Sequence, residues 1–344
     1  MTYRAGIIGC GRIGCAFDDD PRRSYVSTHA GAYVRTPGVD LVGLCDIDTT
    51  ALDRFGEKFG VSGRYVDLST MLAKEQLDIL SVCIWNQMHR EVVEQAVDAG
   101  VKAVFCEKPI AESLQAADAM IQECARHGVI LMIDHQRRFD RFHQEVAAYL
   151  KQGRLGRLQQ ATCYYTAGVA NTGSHLFDLL RLLFGELEWV QGVYGRNLSG
   201  SSNDPNVDGW LQFKNGPLVA IQSCDVKDYT IFEIDILGTL GRLRMTSHGL
   251  DIEFEGVAES PKFAGYKELC AATPPVHPGG PREYMLQAVT HLLECLERGS
   301  QPLCSGEDGR RALEVICALH ESADASGKRV QLPLANSPIT ISSR

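Results

Sequence analysis

A glycine-rich turn directly follows the first apolar run of the chain. A predicted strand at residues 5–9 leads into Gly9-Cys10-Gly11-Arg12-Ile13-Gly14, which matches the pattern G-x-G-x-x-G. Glycines at these spacings permit a tight turn, close approach of the backbone to a pyrophosphate, and close packing of a helix on a strand. We expect a helix to begin here and to offer its first N–H groups to the phosphates. An ordinary glycine turn has the same letters, but its place at the start of a β-α-β pattern favours dinucleotide binding.

The first 134 residues alternate apolar runs with helix-like segments, which is the pattern of parallel β-α-β units. The runs are apolar on both faces, as in strands that helices cover on both sides. The predicted strands are 5–9, 39–45, 79–84, 103–106 and 129–133, and the predicted helices are 50–59, 68–74, 90–99 and 114–126. Residues 1–134 therefore predict an α/β domain of the Rossmann type.

From residue 135 onward, strands follow one another with few helices between them. The predicted strands are 159–166, 190–194, 209–213, 218–223, 231–237, 242–246 and 252–255, and the predicted helices are 142–151, 174–184, 282–298 and 306–326. Such a run of strands indicates a largely antiparallel sheet. Residues 135–344 therefore predict a second, α+β domain with an open, mostly antiparallel sheet.

Charge and hydropathy argue against several classes of partner. The 344 residues contain 34 Lys and Arg against 43 Asp and Glu, a formal charge of −9, without the basic cluster that nucleic acid requires. The longest apolar runs, such as 79–85, fall far short of the roughly 20 residues that span a bilayer. Because the first residues lack the apolar region of a signal peptide, we expect a cytoplasmic protein that binds neither membrane nor nucleic acid.

Twelve cysteines are scattered singly and form no C-x-x-C pair. This spacing indicates neither a zinc ribbon nor a thioredoxin-type motif. Most of them stand in apolar runs, where a free cysteine behaves as a small hydrophobic residue. We expect structural thiols in a reducing compartment and no bound metal.

An acidic residue, Asp46, ends the second predicted strand, where a carboxylate accepts hydrogen bonds from the adenosine ribose of a dinucleotide. The 32-residue spacing from Gly14 exceeds the usual ~20 residues, because a polar insert at residues 17–28 precedes the first helix proper. A simple turn residue is the alternative interpretation of Asp46. Ile47 follows instead of an Arg or Ser that would receive a 2′-phosphate, so NAD is favoured over NADP.

A charged pair, Glu107-Lys108, follows the buried strand 103–106 and precedes Pro109. This position lies at the carboxyl edge of a parallel sheet, where ligands bind. A cis Pro109 would aim the Lys108 ammonium into the cleft. A surface ion pair in a turn is the alternative.

The apolar helix 174–184 carries one narrow polar stripe, formed by His175, Asp178 and Arg181 at positions i, i+3 and i+6. A solvated strip would account for this pattern. A histidine facing a cleft would account for it too, and its titration range suits proton exchange.

Five motifs stand in an order that resembles the Gfo/Idh/MocA family, which includes glucose–fructose oxidoreductase and inositol dehydrogenase. They are Gly9–Gly14, Asp46, Asn86-x-x-His89, Glu107-Lys108-Pro109 and Gly173-Ser174-His175-x-x-Asp178. The resemblance covers nearly the whole chain. It implies a Rossmann domain that binds NAD, and a second domain that binds substrate and mediates homodimers or homotetramers.

The resemblance also implies roles for individual residues. Lys108 would contact the reacting hydroxyl, and His175 would serve as general acid and base beside it. The predicted cofactor contacts are Gly9, Gly11, Arg12, Ile13, Gly14, Asp46, Ile47, Asn86, His89, Glu107 and Lys108. The predicted substrate contacts are Lys108, Arg138, Tyr165, Asn171 and His175.

One residue departs from the family pattern. Many members have Asp four residues before the histidine, whereas this chain has Asn171. An amide can hydrogen-bond a hydroxyl but cannot take its proton near neutral pH, which leaves His175 as the expected base.

The motifs of three other enzyme classes are missing: the ligand set of zinc alcohol dehydrogenases, Tyr-x-x-x-Lys of short-chain dehydrogenases, and Gly-x-Ser-x-Gly of serine hydrolases. The sequence therefore predicts an NAD-dependent oxidoreductase that acts on a secondary hydroxyl of a sugar, cyclitol, or nucleotide- or phospho-sugar. A non-catalytic regulator with the same fold is the alternative, against which Lys108 and His175 argue.

Overall fold

The protein, seen in a computed structural model that describes residues 2–279 and 282–343, divides into two compact units. The first unit comprises residues 2–140, 282–313 and 342–343, and the second comprises residues 141–279 and 314–341. Within the described part of the chain, no helix combines the length and the apolar composition needed to cross a membrane.

The first unit is built from alternating strands and helices, as the sequence predicted. Its elements are β1 (Tyr3–Ile8), α1 (His29–Arg35), β2 (Val39–Cys45), α2 (Thr49–Phe59), β3 (Gly63–Tyr65), α3 (Leu68–Glu75), β4 (Ile79–Val82), α4 (His89–Asp98), β5 (Ala103–Cys106), α5 (Leu114–His127) and β6 (Ile130–Ile133). The strands form a parallel sheet in the order β3-β2-β1-β4-β5-β6, which is the order of the doubly wound Rossmann fold.

The register of this sheet brings the ends of its strands to one edge. Ile8 pairs with both Cys45 and Val82, Val82 pairs with Cys106, and Cys106 pairs with Ile133. The residues that follow these five strands therefore lie along the carboxyl edge of the sheet, where ligands bind in open α/β folds.

Helix ends in the first unit follow local sequence signals. Asp48, Asp67 and Ser113 cap α2, α3 and α5, each accepting a hydrogen bond from a backbone N–H of the first turn. Gly60 and Gly128 end α2 and α5 with φ near +70°, a conformation that glycine adopts without strain. These caps fix where each helix stops and where the next strand begins.

The second unit contains a wide mixed sheet with helices packed on it. Its elements up to residue 279 are α6 (Arg141–Lys151), β7 (Leu158–Tyr165), α7 (Gly173–Phe184), β8 (Leu187–Tyr194), β9 (Val207–Phe213), β10 (Leu218–Ser223), β11 (Phe232–Gly238), β12 (Gly241–Thr246), β13 (Asp251–Glu259) and β14 (Lys267–Ala272). Later in the sequence, α8 (Tyr284–Arg298) belongs to the first unit, and α9 (Gly306–Asp324) belongs to the first unit up to Leu313 and to the second from Glu314. The strand β15 (Val330–Gln331) lies in the second unit. The sheet order is β14-β13-β12-β11-β7-β10-β9-β8-β15, and the pair β7–β10 is parallel whereas the other neighbours are antiparallel.

Side chains alternate between the two faces of this sheet. Cys163, Ile221, Ile234 and Leu243 are buried on the inner face. On the outer face, Arg242 of β12 pairs with Asp235 of β11. This alternation of apolar and charged positions is what the period of two in a β-strand predicts.

The structure differs from the predicted elements where the local signal is weak. The strands β3 and β15 have only three and two residues, and β14 is largely exposed with no apolar stripe. The residues 282–313 fall in the first unit, whereas the sequence analysis assigned them to the second domain. The reason is tertiary, since α8 packs against α1 and β6.

Candidate active site

The glycine turn after β1 has the geometry of a phosphate-binding turn. Gly9 has φ +96°, and a Cβ there would lie 2.4 Å from the carbonyl oxygen of Cys83. A Cβ at Gly14 would lie 2.0 Å from the carbonyl oxygen of Gly9, whereas a Cβ at Gly11 would meet nothing within 4 Å. Gly9 and Gly14 are therefore required by the fold itself. Gly11 is exposed and leaves open the space that a pyrophosphate needs, so the turn fits a dinucleotide.

The segment after the turn corrects one expectation. The predicted helix is replaced by a single turn, Arg12–Ala16, in which the N–H groups of Cys15 and Ala16 both bond to the Gly11 carbonyl. The first α-helix begins only at His29, after the polar insert. Arg12 is exposed with its guanidinium 5.7 Å from the centroid of the Phe17 ring, and Ile13 is half-buried.

The polar insert is tied to the start of α1 by a single carboxylate. Asp18 accepts a hydrogen bond from the Ser27 N–H (2.6 Å) and another from the Thr28 hydroxyl (2.5 Å). Thr28 in turn caps α1 by accepting from the Gly31 N–H. The insert therefore fixes the first residue of α1, His29, at a defined position.

Asp46 lies beside the glycine turn, as the sequence predicted. Its Oδ2 accepts from the Cys10 N–H at 2.6 Å, and its Oδ1 accepts from the Asp48 N–H at 2.9 Å. An ionised carboxylate has about four lone-pair sites, so two remain for ribose hydroxyls. Ile47 is 91% exposed and brings no positive charge to this position.

Glu107 and Lys108 follow β5 at the carboxyl edge of the sheet. The Lys108–Pro109 peptide bond is cis. Lys108 is half-buried, and its backbone N–H donates to Oε2 of Glu107 at 3.3 Å. Glu107, a predicted cofactor contact, is 7% exposed, and its carboxylate contacts His29 inside the first unit.

A buried polar cluster behind Lys108 was not anticipated from the sequence. Nε2 of His29 lies 3.1 Å from Oε1 of Glu107 and 3.7 Å from Oδ2 of Asp134. These three residues form a group of potential metal ligands in the described chain, with ligand atoms within 4.8 Å of one another. Burial raises the pKa of Glu107, but the hydrogen bond from His29 and the charge of Lys108 outweigh it and leave that pKa below its ordinary value. Burial, then the charge of Glu107, raise the pKa of Asp134 well above its usual range.

Two predicted cofactor contacts are core residues instead. His89 has no exposed surface, and its ring nitrogens face the carbonyl oxygens of Ile84 and Ile110, each at 3.1 Å. Asn86 is 1% exposed, donates to the Ala111 carbonyl, and accepts from the Ser343 N–H. Asn86 thus bonds two buried backbone groups, and the neutral ring of His89, which has one N–H, donates to one of its two carbonyl neighbours. Bonds to backbone groups are the commonest use of a buried polar side chain.

Arg138, predicted to bind substrate, is held within the first unit. Its Nη1 donates to the Leu303 carbonyl at 3.1 Å, and its Nη2 lies 3.1 Å from the carboxylate of Asp308. The side chain is only 11% exposed. Its guanidinium therefore joins the segment after β6 to the start of α9.

His175 stands in the first turn of α7 in the second unit and is half-buried. Of the other two residues in its polar stripe, Asp178 is buried and Arg181 pairs with Glu186 at 2.6 Å. The stripe is therefore not a solvated strip. Within it, Asp178 is buried, Arg181 is held by an ion pair, and His175 is half-buried.

The segment before α7 is clamped by a carboxylate that the sequence analysis did not single out. Asp204, 4% exposed, accepts from the N–H groups of Ala170 (2.7 Å) and Asn171 (2.8 Å). A Cβ at Gly168, where φ is +92°, would lie 2.1 Å from the same carboxylate. Asn171, half-buried, is thus placed by its backbone, which also fixes the approach to His175.

Tyr165, a predicted substrate contact, lies in the core of the second unit. It has no exposed surface, and its hydroxyl both donates to the Val207 carbonyl (2.7 Å) and accepts from the Val207 N–H (2.8 Å). Burial raises the pKa of Tyr165 far above its ordinary value. In this structure the side chain is therefore enclosed by the core of the second unit and both hydrogen bonds of its hydroxyl go to Val207.

Two family models match the chain. The first, an oxidoreductase family with an NAD-binding Rossmann fold, matches residues 3–135, and the second, the C-terminal alpha/beta domain of the same family, matches residues 128–332. The chain belongs to the Gfo/Idh/MocA family of oxidoreductases. The resemblance drawn from the motifs is thereby confirmed, as are the predicted fold class and NAD as the cofactor of the Rossmann fold.

Curated Gfo/Idh/MocA relatives match over most of the chain. D-apiose dehydrogenase from Paraburkholderia graminis is 29% identical over 350 residues, covering 93% of this chain and 88% of that protein. Myo-inositol 2-dehydrogenase from Thermotoga maritima is 26% identical over 348 residues, covering 93% of this chain and 96% of that protein. Both relatives are dehydrogenases, which favours an enzyme over the regulatory alternative.

Solved structures of two dehydrogenases share the fold of this chain. The WlbA dehydrogenase from Bordetella pertussis, in complex with NADH and UDP-GlcNAcA, has a TM-score of 0.78 at 24% identity, covering 97% of this chain and all of that one. Levoglucosan dehydrogenase, in complex with NADH and levoglucosan, has a TM-score of 0.79 at 16% identity with the same coverage. At these identities the likeness shows the fold.

Proposed function

We propose that this protein is an NAD-dependent dehydrogenase that interconverts a secondary hydroxyl and a ketone on a sugar, a cyclitol, or a nucleotide- or phospho-sugar. One observation carries the proposal: the register of the parallel sheet brings the open Gly11, the carboxylate of Asp46, and the ammonium-bearing Lys108 to the same carboxyl edge. Family membership supplies the reaction class.

Two side chains perform the chemistry in this proposal. Lys108 holds the substrate oxygen with a positive donor, which stabilises the alkoxide character that develops as hydride leaves. His175 accepts the hydroxyl proton in oxidation and returns it in reduction, since an imidazole titrates near neutral pH. Bound NAD supplies the acceptor for the hydride. Asn171 cannot take a proton, which leaves the base role to His175.

The same proposal favours NAD over NADP. The carboxylate of Asp46 would accept from the ribose hydroxyls and repel a 2′-phosphate. Exposed Ile47 offers no cation to balance that phosphate. Of the predicted cofactor contacts, Gly9, Gly11, Arg12, Ile13, Gly14, Asp46, Ile47 and Lys108 are kept in this assignment.

The substrate class is proposed from two sources. The similar curated proteins act, by their names, on D-apiose and on inositol. Only five residues separate Tyr165 from Asn171, too few for a long loop that would cover a substrate, which favours a bulky polyol.

We also propose that the enzyme is a cytoplasmic homodimer or homotetramer that binds neither nucleic acid nor membrane. The outer face of the second unit's sheet exposes Val193 by 50% and Trp210 by 47%, and a second copy would cover them. Twelve free thiols suit a reducing compartment. Light scattering on the purified protein distinguishes dimer or tetramer from monomer.

The decisive experiment is a turnover panel of aldoses, cyclitols and nucleotide sugars with NAD and with NADP, run on the native protein and on two variants. Lys108→Ala is expected to lower kcat by about 10²–10³-fold while NADH still binds. His175→Ala is expected to lower kcat by about 10²–10⁴-fold and to flatten the pH profile near the pKa of an imidazole.

Lys102→Ala and His127→Ala are matched controls, since both residues lie in the first unit with half or more of the side chain exposed. They are expected to retain native turnover. Binding of NADH without turnover of any substrate would instead favour the regulatory alternative, and full activity of Lys108→Ala would refute the assignment of the site.

A further inference from the structure

A continuous chain of four hydrogen-bonded side chains runs through the interior of the first unit. The Tyr33 hydroxyl lies 2.8 Å from Oγ of Ser81, and that Oγ lies 2.9 Å from Nδ1 of His29. Nε2 of His29 lies 3.1 Å from Oε1 of Glu107. Tyr33, Ser81 and His29 have no exposed surface, so water does not compete for these bonds.

The positions of the hydroxyl protons give this series of hydrogen bonds a donor-to-acceptor direction. Among the described residues, Ser81 is the hydrogen-bond partner of the Tyr33 hydroxyl. If Tyr33 donates to Ser81 and Ser81 donates to Nδ1, every hydroxyl proton has an acceptor, and His29 carries its own proton on Nε2. That proton then points at the carboxylate of Glu107. In the opposite direction the Tyr33 hydroxyl proton would have no acceptor inside the core, and a buried donor without an acceptor costs about 1–3 kcal/mol.

At Glu107, this series of hydrogen bonds reaches the backbone of Lys108. Oε2 of Glu107 accepts the backbone N–H of Lys108 at 3.3 Å, while Oε1 is held by His29. The carboxylate therefore bridges a buried ring and the peptide from which the Lys108 side chain departs. Each of its oxygens has a fixed partner, which restricts the rotation of Glu107.

We propose that His29 is a positioning residue for Lys108 and acts through Glu107, with Ser81 and Tyr33 fixing which ring nitrogen of His29 faces that carboxylate. This inference rests on the proposed role of Lys108. The arrangement is analogous to a catalytic histidine that is oriented by a third group, where the outer residue fixes the tautomer of the histidine.

The surroundings of His29 are built to hold it still. Its ring packs on Phe105 with 4.4 Å between centroids. It is the first residue of α1, whose start is fixed by the cap from Thr28 and by Asp18 behind it. The titratable groups that act on Glu107 from the neighbouring elements are His29, Lys108 and Asp134, and Glu107 in turn acts on Cys83, His89 and Cys106.

Two substitutions of His29 test the contacts of its two ring nitrogens separately. Glutamine places an amide near the position of Nε2, so His29→Gln keeps a donor for Glu107 and loses the contact with Ser81. Asparagine is shorter and occupies the place of Nδ1, so His29→Asn keeps Ser81 and loses Glu107. Because each variant retains one buried hydrogen bond, we expect the two variants to fold with similar stability.

The proposal predicts unequal activity for these two variants. His29→Gln is expected to retain kcat within about threefold, whereas His29→Asn is expected to lose about 10–100-fold, the range typical of an outer partner that orients a functional group. KM for substrate and the Kd for NADH, measured by fluorescence, are expected to change little.

The control for Tyr33→Phe is Tyr65→Phe, which removes a phenol hydroxyl bonded to Glu75 elsewhere in the first unit. Only Tyr33→Phe is expected to lower kcat. Equal kcat for the Gln and Asn variants would overturn the proposal. So would a stoichiometric metal ion, detected in the native protein by mass spectrometry and lost in Asp134→Asn.

The Lys108→Ala variant keeps the two inferences distinguishable. If Lys108→Ala is fully active, the proposed function fails first. If Lys108→Ala is inactive but both His29 variants behave like the native protein, only the positioning role fails.

Discussion

The carboxylate of Asp46 and the backbone of Cys10 are joined by a hydrogen bond of 2.6 Å. Cys10 is the second residue of the glycine turn, and Asp46 follows β2, which pairs with β1 in parallel. The residue that would read the ribose therefore also fixes the turn that would hold the pyrophosphate. One side chain links both halves of the dinucleotide site.

Asp46→Ala is expected to weaken NADH binding by about 10–100-fold. The change removes a hydrogen bond to a charged group, worth about 1.5–3 kcal/mol, and frees the Cys10 N–H. Fluorescence titration measures the Kd, and Asp53→Ala, on an exposed carboxylate of the neighbouring helix, is the control. If NADP binds the native protein as tightly as NAD, Asp46 does not discriminate between them.

The glycines of the turn are expected to respond differently to alanine. Gly11→Ala should fold normally, since φ is −71° and a Cβ would meet nothing within 4 Å, but it should lose NADH affinity because the methyl occupies phosphate space. Gly14→Ala should lower Tm strongly, because its Cβ would lie 2.0 Å from the Gly9 carbonyl oxygen. Thermal unfolding with and without NADH tests both. Unchanged NADH affinity in Gly11→Ala would contradict the site.

Sequence patterns predicted the parallel sheet because the information is local. The strands β4 and β5 are short runs buried on both faces, and α2 begins after the acceptor Asp48 and ends at Gly60. The positions of Asp46 and Lys108 at the carboxyl edge followed from this pattern alone. The same argument could not assign α8 to the first unit, since that depends on tertiary packing.

Polar residues in apolar surroundings are the hardest to interpret from the sequence. His89 and Asn86 follow a predicted strand, and Tyr165 lies within one. The family resemblance implies ligand contacts for all three, whereas in the structure each bonds to buried backbone groups. A sequence does not show where a carbonyl will need a donor. His29 was missed for a related reason: its partner Glu107 is 78 residues away. The available signal was a histidine directly after the Thr28 cap, close to the turn.

Tyr165→Phe is expected to destabilise the protein without affecting catalysis. Loss of the hydroxyl leaves the N–H and carbonyl of Val207 without this partner inside the core, at a cost of about 1–3 kcal/mol. Chemical denaturation measures the loss, and kcat and KM for the best substrate should stay within about twofold. Tyr149→Phe, with a longer hydroxyl contact of 3.3 Å to Arg154, should cost less. A raised KM in Tyr165→Phe would restore the substrate role.

Asp134→Asn is expected to make the protein more stable than the native chain at neutral pH, by an amount that grows with pH. The folded state raises the pKa of Asp134 well above the unfolded value of about 3.9, chiefly through burial. Its stabilising contribution is therefore fully present below about pH 3.9 and is lost as pH rises towards the folded pKa, by about 1.4 kcal/mol per unit. The amide does not titrate, so the variant escapes this loss. The pKa of Glu107 is shifted in the opposite direction, but Glu107 is present in both proteins.

Unfolding midpoints of the native protein and of Asp134→Asn at pH 5, 6.5 and 8 measure this difference in stability, with Asp53→Asn as the control. A gap that narrows as pH rises would show that Asp134 is ionised in the folded protein.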